Sequence, residues 1–261
     1  MNKFFEEKRI IGMIHLKNIA SQELNQERIE EIYKFAKKDL NALENGGADA
    51  ALIENFFDNP YSLELNVEQV IAFVSIFSRL KAISKIPLGV NLQQTNGKEE
   101  IVIANLCGGT FMRSESFVET RVGPSGIMEP QASKLIRYKN DFAPHVQIYA
   151  DIDVKHSHGL ISKDLTETFN EAVENEADAI IITAESTGKN PDIKEIKLLK
   201  DNTETRVPVI IGSGVNKDNI SSYFEIAAGV IVGSSIKEKE IFTNIDERKV
   251  QELVNAKEQS K

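Results

Sequence analysis

A chain of 261 residues with 41% hydrophobic side chains can bury a sizeable core, in one large domain or two small ones. The net charge of −9, with no basic cluster and no Lys/Arg-rich amphipathic helix, excludes a nucleic-acid footprint and an anionic membrane surface as partners. Cys107 is the only cysteine, so no intramolecular disulfide forms and an oxidising compartment is not implied. No run reaches transmembrane length, and the segment Met1 to Arg9 has no apolar stretch of the kind a targeting peptide needs and carries two glutamates that argue against one. A cytoplasmic chain without membrane insertion is expected.

Short β-branched runs alternate with amphipathic segments along the chain. Ile10 to Ile14 reads as a first strand ending on His15. Residues 27–45 carry Ile29, Ile32, Phe35, Ala36, Leu40 and Leu43 at helical spacing, and Asn45-Gly46-Gly47 stops the helix. Ala50 to Ile53 is the second strand, ending on Glu54-Asn55, and residues 64–84 form an apolar helix. Pro87 to Val90 is the third strand, ending on Asn91, with a helix near 96–106. Cys107 is read as a small core residue entering the fourth strand, Thr110 to Met112, which ends on Arg113.

Ser114 to Met128, with Gly123-Pro124-Ser125-Gly126 inside it, is the longest irregular segment and is expected to be a mobile lid. After a helix near 129–142, Val146 to Ala150 is the fifth strand, ending on Asp151. A polar loop holding Asp153, Lys155, His156 and His158 leads to a helix at 162–176. Asp178 to Ile182 is the sixth strand, closed by Thr183 to Gly188, and Pro191 opens the next helix. Two further runs, Pro208 to Ile211 and Gly229 to Val232, each end in a small-residue triplet. A last helix at 246–256 starts on Asp246.

Eight strand–helix units with no linker between them predict a single (β/α)8 barrel with short polar extensions at both ends; an open doubly wound sheet is the alternative. In a barrel the C-terminal strand ends ring one mouth, where active sites lie. Here those ends are His15, Glu54-Asn55, Asn91, Arg113, Asp151, Thr183, Gly212-Ser213 and Gly233-Ser234. Loop polarity alone explains Ser and Asn there. It does not explain inward-facing His, Glu, Arg and Asp, whose burial is costly unless they are paired or used.

The triplets Gly212-Ser213-Gly214 and Gly233-Ser234-Ser235 follow the last two strands. Glycine lets backbone N–H groups approach an anion without a Cβ in the way, so these loops are candidate phosphate holders; otherwise they are tight turns. His15, Glu54 or Asp151 would move protons, and Lys155 would be a phosphate contact, a Schiff-base amine or a solvated lysine. Arg113 would hold an anionic group, or pair with Glu54 and Asp151 in a structural network. Asn55, Asn91, His156, Thr183 and Thr187 complete the expected ligand contacts. Asp151, Asp153, His156 and His158 lie close enough in sequence to raise a divalent metal, but without tight ligand spacing. The expected partner is a phosphorylated small molecule; homo-oligomerisation is left open.

Ile11-Gly-Met-Ile-His15-Leu, Gly46-Gly47-Ala-Asp49, Glu54-Asn55-Phe-Phe-Asp58-Asn-Pro60, Pro87-Leu-Gly-Val-Asn91 and Phe111-Met-Arg113 occur in this order. Ala150-Asp151-Ile-Asp-Val-Lys155-His156, Ser186-Thr187-Gly188, Gly212-Ser213-Gly214-Val and Gly229-Val-Ile-Val-Gly233-Ser-Ser-Ile-Lys237 follow. The set resembles the BtpA family across residues 10–254. The resemblance implies a ribulose-phosphate-binding type of barrel. It offers two functions, an enzyme of unassigned reaction or a non-catalytic assembly factor for a photosystem-type membrane complex. Three mouth segments depart from the family pattern: Lys17 to Gln22 in place of a Pro/Gly-rich loop, Leu92 to Asn96 in place of Leu-Arg-Asn-Asp, and Ala184-Glu185 where a glycine is expected. The ligand is therefore expected to differ from that of other members.

Overall fold

The computed structural model describes residues 3–93, 97–152, 154, 157–183, 191–201 and 206–258. Its strands are β1 (Arg9–His15), β2 (Ala50–Glu54), β3 (Leu88–Asn91), β4 (Phe111–Ser114), β5 (Arg121–Gly123), β6 (Gly126–Met128), β7 (Gln147–Ile152), β8 (His158–Gly159), β9 (Ala179–Ile182), β10 (Val209–Ile211) and β11 (Gly229–Val232). Its α-helices are α1 (Gln26–Gly46), α2 (Val67–Ile83), α3 (Lys98–Cys107), α4 (Ala132–Phe142), α5 (Leu165–Glu174), α6 (Ile193–Asp201), α7 (Ile220–Ile226) and α8 (Glu247–Glu258). β1, β2, β3, β4, β7, β9, β10 and β11 pair in parallel, in that order, and β11 closes on β1. The closed parallel barrel excludes the open sheet.

Successive strand residues point to opposite faces, and the sequence obeys this with a period of two. Ile11, Met13, Ala50, Leu52, Phe111, Tyr149, Ala179, Ile181, Ile210 and Ile231 fill the barrel interior. Ile10, Ile14, Ala51, Ile53, Val90 and Met112 alternate with them and pack outward with the helices. Phe5, on a short 3₁₀ turn at Lys3–Glu6, plugs the lower end and lies 5.5 Å from Tyr149, ring to ring. Three helices start where a side chain supplies the acceptor. Asn25 caps α1, Asn66 forms a reciprocal capping box with Gln69, and Asp164 caps α5.

Two expectations need correction. Ser114 to Met128 is irregular only in its first half: β5 and β6 form a hairpin in the second, and β8 joins them as a three-stranded antiparallel sheet. The anchor is Arg121, 1% exposed, whose guanidinium donates to Ser157 Oγ, to the carbonyls of Val154 and Ser157, and to Glu119. The loops after β4 and β7 are thereby tied together. The Gly/Pro content of the hairpin turn masked its strands, and no sequence period announces a pairing of three residues with two. Cys107, the second, ends α3 rather than entering a strand, and is half-buried against the core.

The loop after β11 is pinned by a fully buried ion pair. Lys237 Nζ lies 2.8 Å from Asp39 of α1, and Asp39 also accepts from Ile245 N and Asn244 Nδ2. Removing one member of such a pair leaves an uncompensated charge in the interior. Asp39→Ala is expected to lower the unfolding free energy by about 3–5 kcal/mol in urea melts, and Asp39→Leu combined with Lys237→Met to recover most of that loss.

Candidate functional site

The same alternation that fills the barrel decides which polar residues face its upper end. His15 follows Ile11 and Met13, Glu54 follows Ala50 and Leu52, and Arg113 follows Phe111. Asp151 follows Tyr149, and Thr183 follows Ala179 and Ile181. All therefore form one layer on top of the apolar ones. Register aligns three of them directly, since His15 pairs with Glu54 and Glu54 with Asn91 across β1, β2 and β3. His15, Glu54, Asn91, Arg113 and Asp151 are all buried.

The layer divides into two groups. In the first, Glu54 Oε2 lies 3.4 Å from His15 Nε2, while Glu54 Oε1 accepts from Asn91 Nδ2 at 2.9 Å. Asn91 Nδ2 also reaches Glu115 Oε1 at 3.5 Å. The His15 ring stacks on Phe56 at 4.2 Å, which fixes its plane. In the second group, Arg113 donates from Nε and an Nη to both oxygens of Asp151, at 2.6 and 3.1 Å. Burial disfavours the guanidinium charge, but Asp151 first, then Glu115 and Glu54, hold it above its ordinary pKa. Asp151 is thus engaged at both oxygens, and Glu54 is the carboxylate beside an imidazole.

Neighbouring groups respond to this negative layer. Burial first, then Glu54, Glu115 and Asp58, push the Tyr61 phenol up, and it donates to the Phe56 carbonyl at 2.7 Å. Burial also raises Glu100, opposed by a hydrogen bond from Leu92 N and reinforced by Glu115. Asp58 is raised by burial against four donors: Ile19 N, Ala20 N, Asn55 Nδ2 and Gln69 Nε2.

The expected ligand contacts separate on these grounds. Asn55 is one residue past Glu54 and faces away from the ring. Its Nδ2 donates to Asp58 and its Oδ1 accepts from Gln93 N, so it ties the loops after β2 and β3 together. Asn91 Oδ1, Thr183 Oγ1 and Ser235 Oγ, by contrast, are buried with no hydrogen-bond partner among the described residues. His158 sits exposed on β8, paired with Val122. Asp153, Lys155, His156 and Thr187 lie outside the described residues. Among the described residues no group of three or more His, Cys, Asp or Glu is placed to hold a metal ion.

Both small-residue triplets stand at the same end of the barrel, after β10 and β11. Gly214 has φ of +72°, a conformation side-chain-bearing residues rarely adopt. A Cβ on Gly233 would sit 3.2 Å from His15 Cε1, so this loop runs directly against the imidazole. Sequence reasoning missed Glu115, Phe56 and Tyr61. Glu115 looked like loop, and the Phe56-Phe57 pair carries no chemistry until it is seen against His15.

These groups allow a clear test of which carboxylate is structural. Asp151→Asn strands the Arg113 charge and should cost about 3–5 kcal/mol in denaturant melts. Glu54→Gln keeps the bond from Asn91 by rotation of its amide and should cost less than about 1 kcal/mol. A reversed ranking would contradict the division made above.

A family model described as the BtpA family matches residues 6–259. An uncharacterized protein of Archaeoglobus fulgidus is 34% identical over 250 residues, 96% of this chain and 98% of that protein. The Photosystem I biogenesis protein BtpA of Synechocystis is 31% identical over 230 residues, 87% of this chain and 80% of that protein. Among solved structures, thiamine phosphate pyrophosphorylase from Pyrococcus furiosus superimposes with a TM-score of 0.59 at 14% identity, covering 98% of this chain and 97% of that one. N-(5'-phosphoribosyl)anthranilate isomerase from the same organism gives 0.56 at 15%, covering 97% and 100%. At such identities the structural likeness is one of fold.

Proposed function

This chain belongs to the BtpA family, and from that premise we propose that it is an enzyme acting by proton transfer on a phosphorylated small molecule. The observation that carries the reading is the buried His15–Glu54 pair standing against the Gly233 loop. In this reading the phosphate lies on the backbones of Gly212–Gly214 and Gly233–Ser235. That places the ester's first carbons over His15 and Glu54. An imidazole and a carboxylate in contact can take a proton from one ligand atom and return it to another. Asn91 Oδ1 and Thr183 Oγ1 are acceptors that hydroxyl groups on the ligand body would satisfy. Arg113, neutralised by Asp151, keeps the far wall rigid.

The fold neighbours supply support of a coarser kind. The names of two of them, a thiamine phosphate pyrophosphorylase and a phosphoribosylanthranilate isomerase, contain a phosphate compound. Fold alone does not transmit function, so the argument stays with the site. Lys155, His156 and Thr187 remain candidate contacts in this reading. A second reading, an assembly factor for a membrane complex, draws on the Synechocystis relative's name and on exposed Ile127, Leu160 and Ile161 on and beside the small sheet. No helix among the described residues is long and apolar enough to cross a membrane.

Thermal shift with inorganic phosphate and ribulose 5-phosphate tests the first reading. Ligand at one hundred times its dissociation constant should add about 2.7 kcal/mol. Gly214→Asp should abolish the shift by placing a negative charge at the anion, while Gly214→Asn, equal in size and backbone strain, should retain part of it. A wild-type protein that neither compound stabilises would remove the main support for an enzyme of this class.

A further inference from the structure

Beside the mouth lies a cleft that the proton-transfer chemistry does not use. It measures about 470 Å³ and is lined by Phe56, Phe57, Tyr61 and Phe242, together with Lys17 and Arg28. Its walls therefore come from the loops after β1, β2 and β11 and from the start of α1. The volume falls in the range of small-molecule sites.

The aromatic walls are organised. Phe57 and Phe242 stack with centroids 5.0 Å apart and planes at 23°, and Phe56 stands edge-on to Phe57 at 5.1 Å. The Tyr61 hydroxyl fixes their loop by donating to the Phe56 carbonyl. Phe242 nevertheless remains 65% exposed, a large apolar area to leave in water. Charge adds a second constraint. Lys17 and Arg28 both bond to one carboxylate, Glu31, at 2.8 and 2.6 Å. Two cations on one anion leave the cleft with a positive balance, in a chain whose net charge is −9.

The cleft is also continuous with the site. Phe56, one of its walls, stacks on His15, and His15 meets the Gly233 loop. Anion loop, imidazole and aromatic cleft thus follow one another across the rim. We propose that this cleft binds a planar aromatic ring bearing an anionic substituent, the ring against Phe57 and Phe242 and the charge toward Lys17 and Arg28. Joining that ring to a phosphate in one ligand rests on the function proposed above; the chemistry of the cleft does not. An aromatic ring gains from offset or edge-to-face contact with the phenyl walls, which an aliphatic ring of equal charge cannot match.

The test is titration of the whole protein, followed by calorimetry or NMR, with benzoate, cyclohexanecarboxylate and inorganic phosphate as separate probes. Benzoate should saturate and bind about three- to tenfold tighter than cyclohexanecarboxylate. Phe242→Ala should erase that preference, and Lys17→Gln should weaken both carboxylates by about threefold or more. Neither substitution should alter phosphate binding, and both side chains are exposed enough for the variants to fold. Gly214→Asp should lose phosphate and keep benzoate. Benzoate that does not saturate, shows no preference over the aliphatic acid, or is indifferent to Phe242→Ala overturns the proposal. If phosphate fails to bind wild type while benzoate behaves as stated, the reading of the mouth falls and the cleft stands.

Discussion

Everything at the upper end of this molecule depends on the alternation of side chains along strands in a closed parallel barrel. Closure leaves no edge, so each strand must send every second residue inward, and the register with its neighbours fixes the height of that residue. Apolar residues or glycine occupy the lower inward positions, and polar residues the last one on every barrel strand but β10 and β11, where it is glycine. A single-residue slip in β2 would exchange Glu54 for Ile53 inside the barrel and bury the carboxylate under helices. Because the strand bodies are apolar on both faces, the polar residue at the strand end is what makes such a slip costly. The polar ring thus helps to fix the register of the strands that carry it.

This constraint also explains what could be read from the sequence. Eight apolar runs, each ending in a polar or small residue, were sufficient for the barrel and for His15, Glu54, Asn91, Arg113 and Asp151, because period and position are visible in one dimension. Pairing was not. Arg113 had two carboxylates within its expected reach, and only the fold assigns it to Asp151 and leaves Glu54 with His15. Asn55 looked as good as Asn91 because sequence gives the end of a strand to within a residue, whereas its facing changes with each residue. The small sheet of β5, β6 and β8 escaped because its partners come from two different loops, and short antiparallel ladders carry almost no periodic signal.

The division of charge in the mouth has a physical logic of its own. A bidentate ion pair between Arg113 and Asp151 satisfies two buried groups at once and leaves them little freedom. The His15–Glu54 contact is longer and its members have other neighbours, Asn91 on one side and Phe56 on the other. The first arrangement is the more rigid of the two, and the second shares its members with neighbours on both sides. Buried negative charge around them raises the Tyr61 phenol and the Glu100 carboxyl, in both cases after burial itself, so both favour the protonated form.

The sheet that ties the loops after β4 and β7 has a consequence for motion. Two loops that share a backbone ladder and one buried arginine have, mechanically, a single degree of freedom: lifting either peels β5 from β8 and pulls Arg121 from three oxygen partners of the other loop. They form a cap that moves as one body or stays closed. The opposite rim, built from the Phe56-Phe57 turn and Phe242, has no comparable ladder among the described residues; ring contacts, the Tyr61 bond and the four donors that meet Asp58 hold it. At the hairpin turn the cap is also tethered to that rim, since Ser125 Oγ donates to the Tyr61 carbonyl at 3.0 Å, so lifting it would break this bond too.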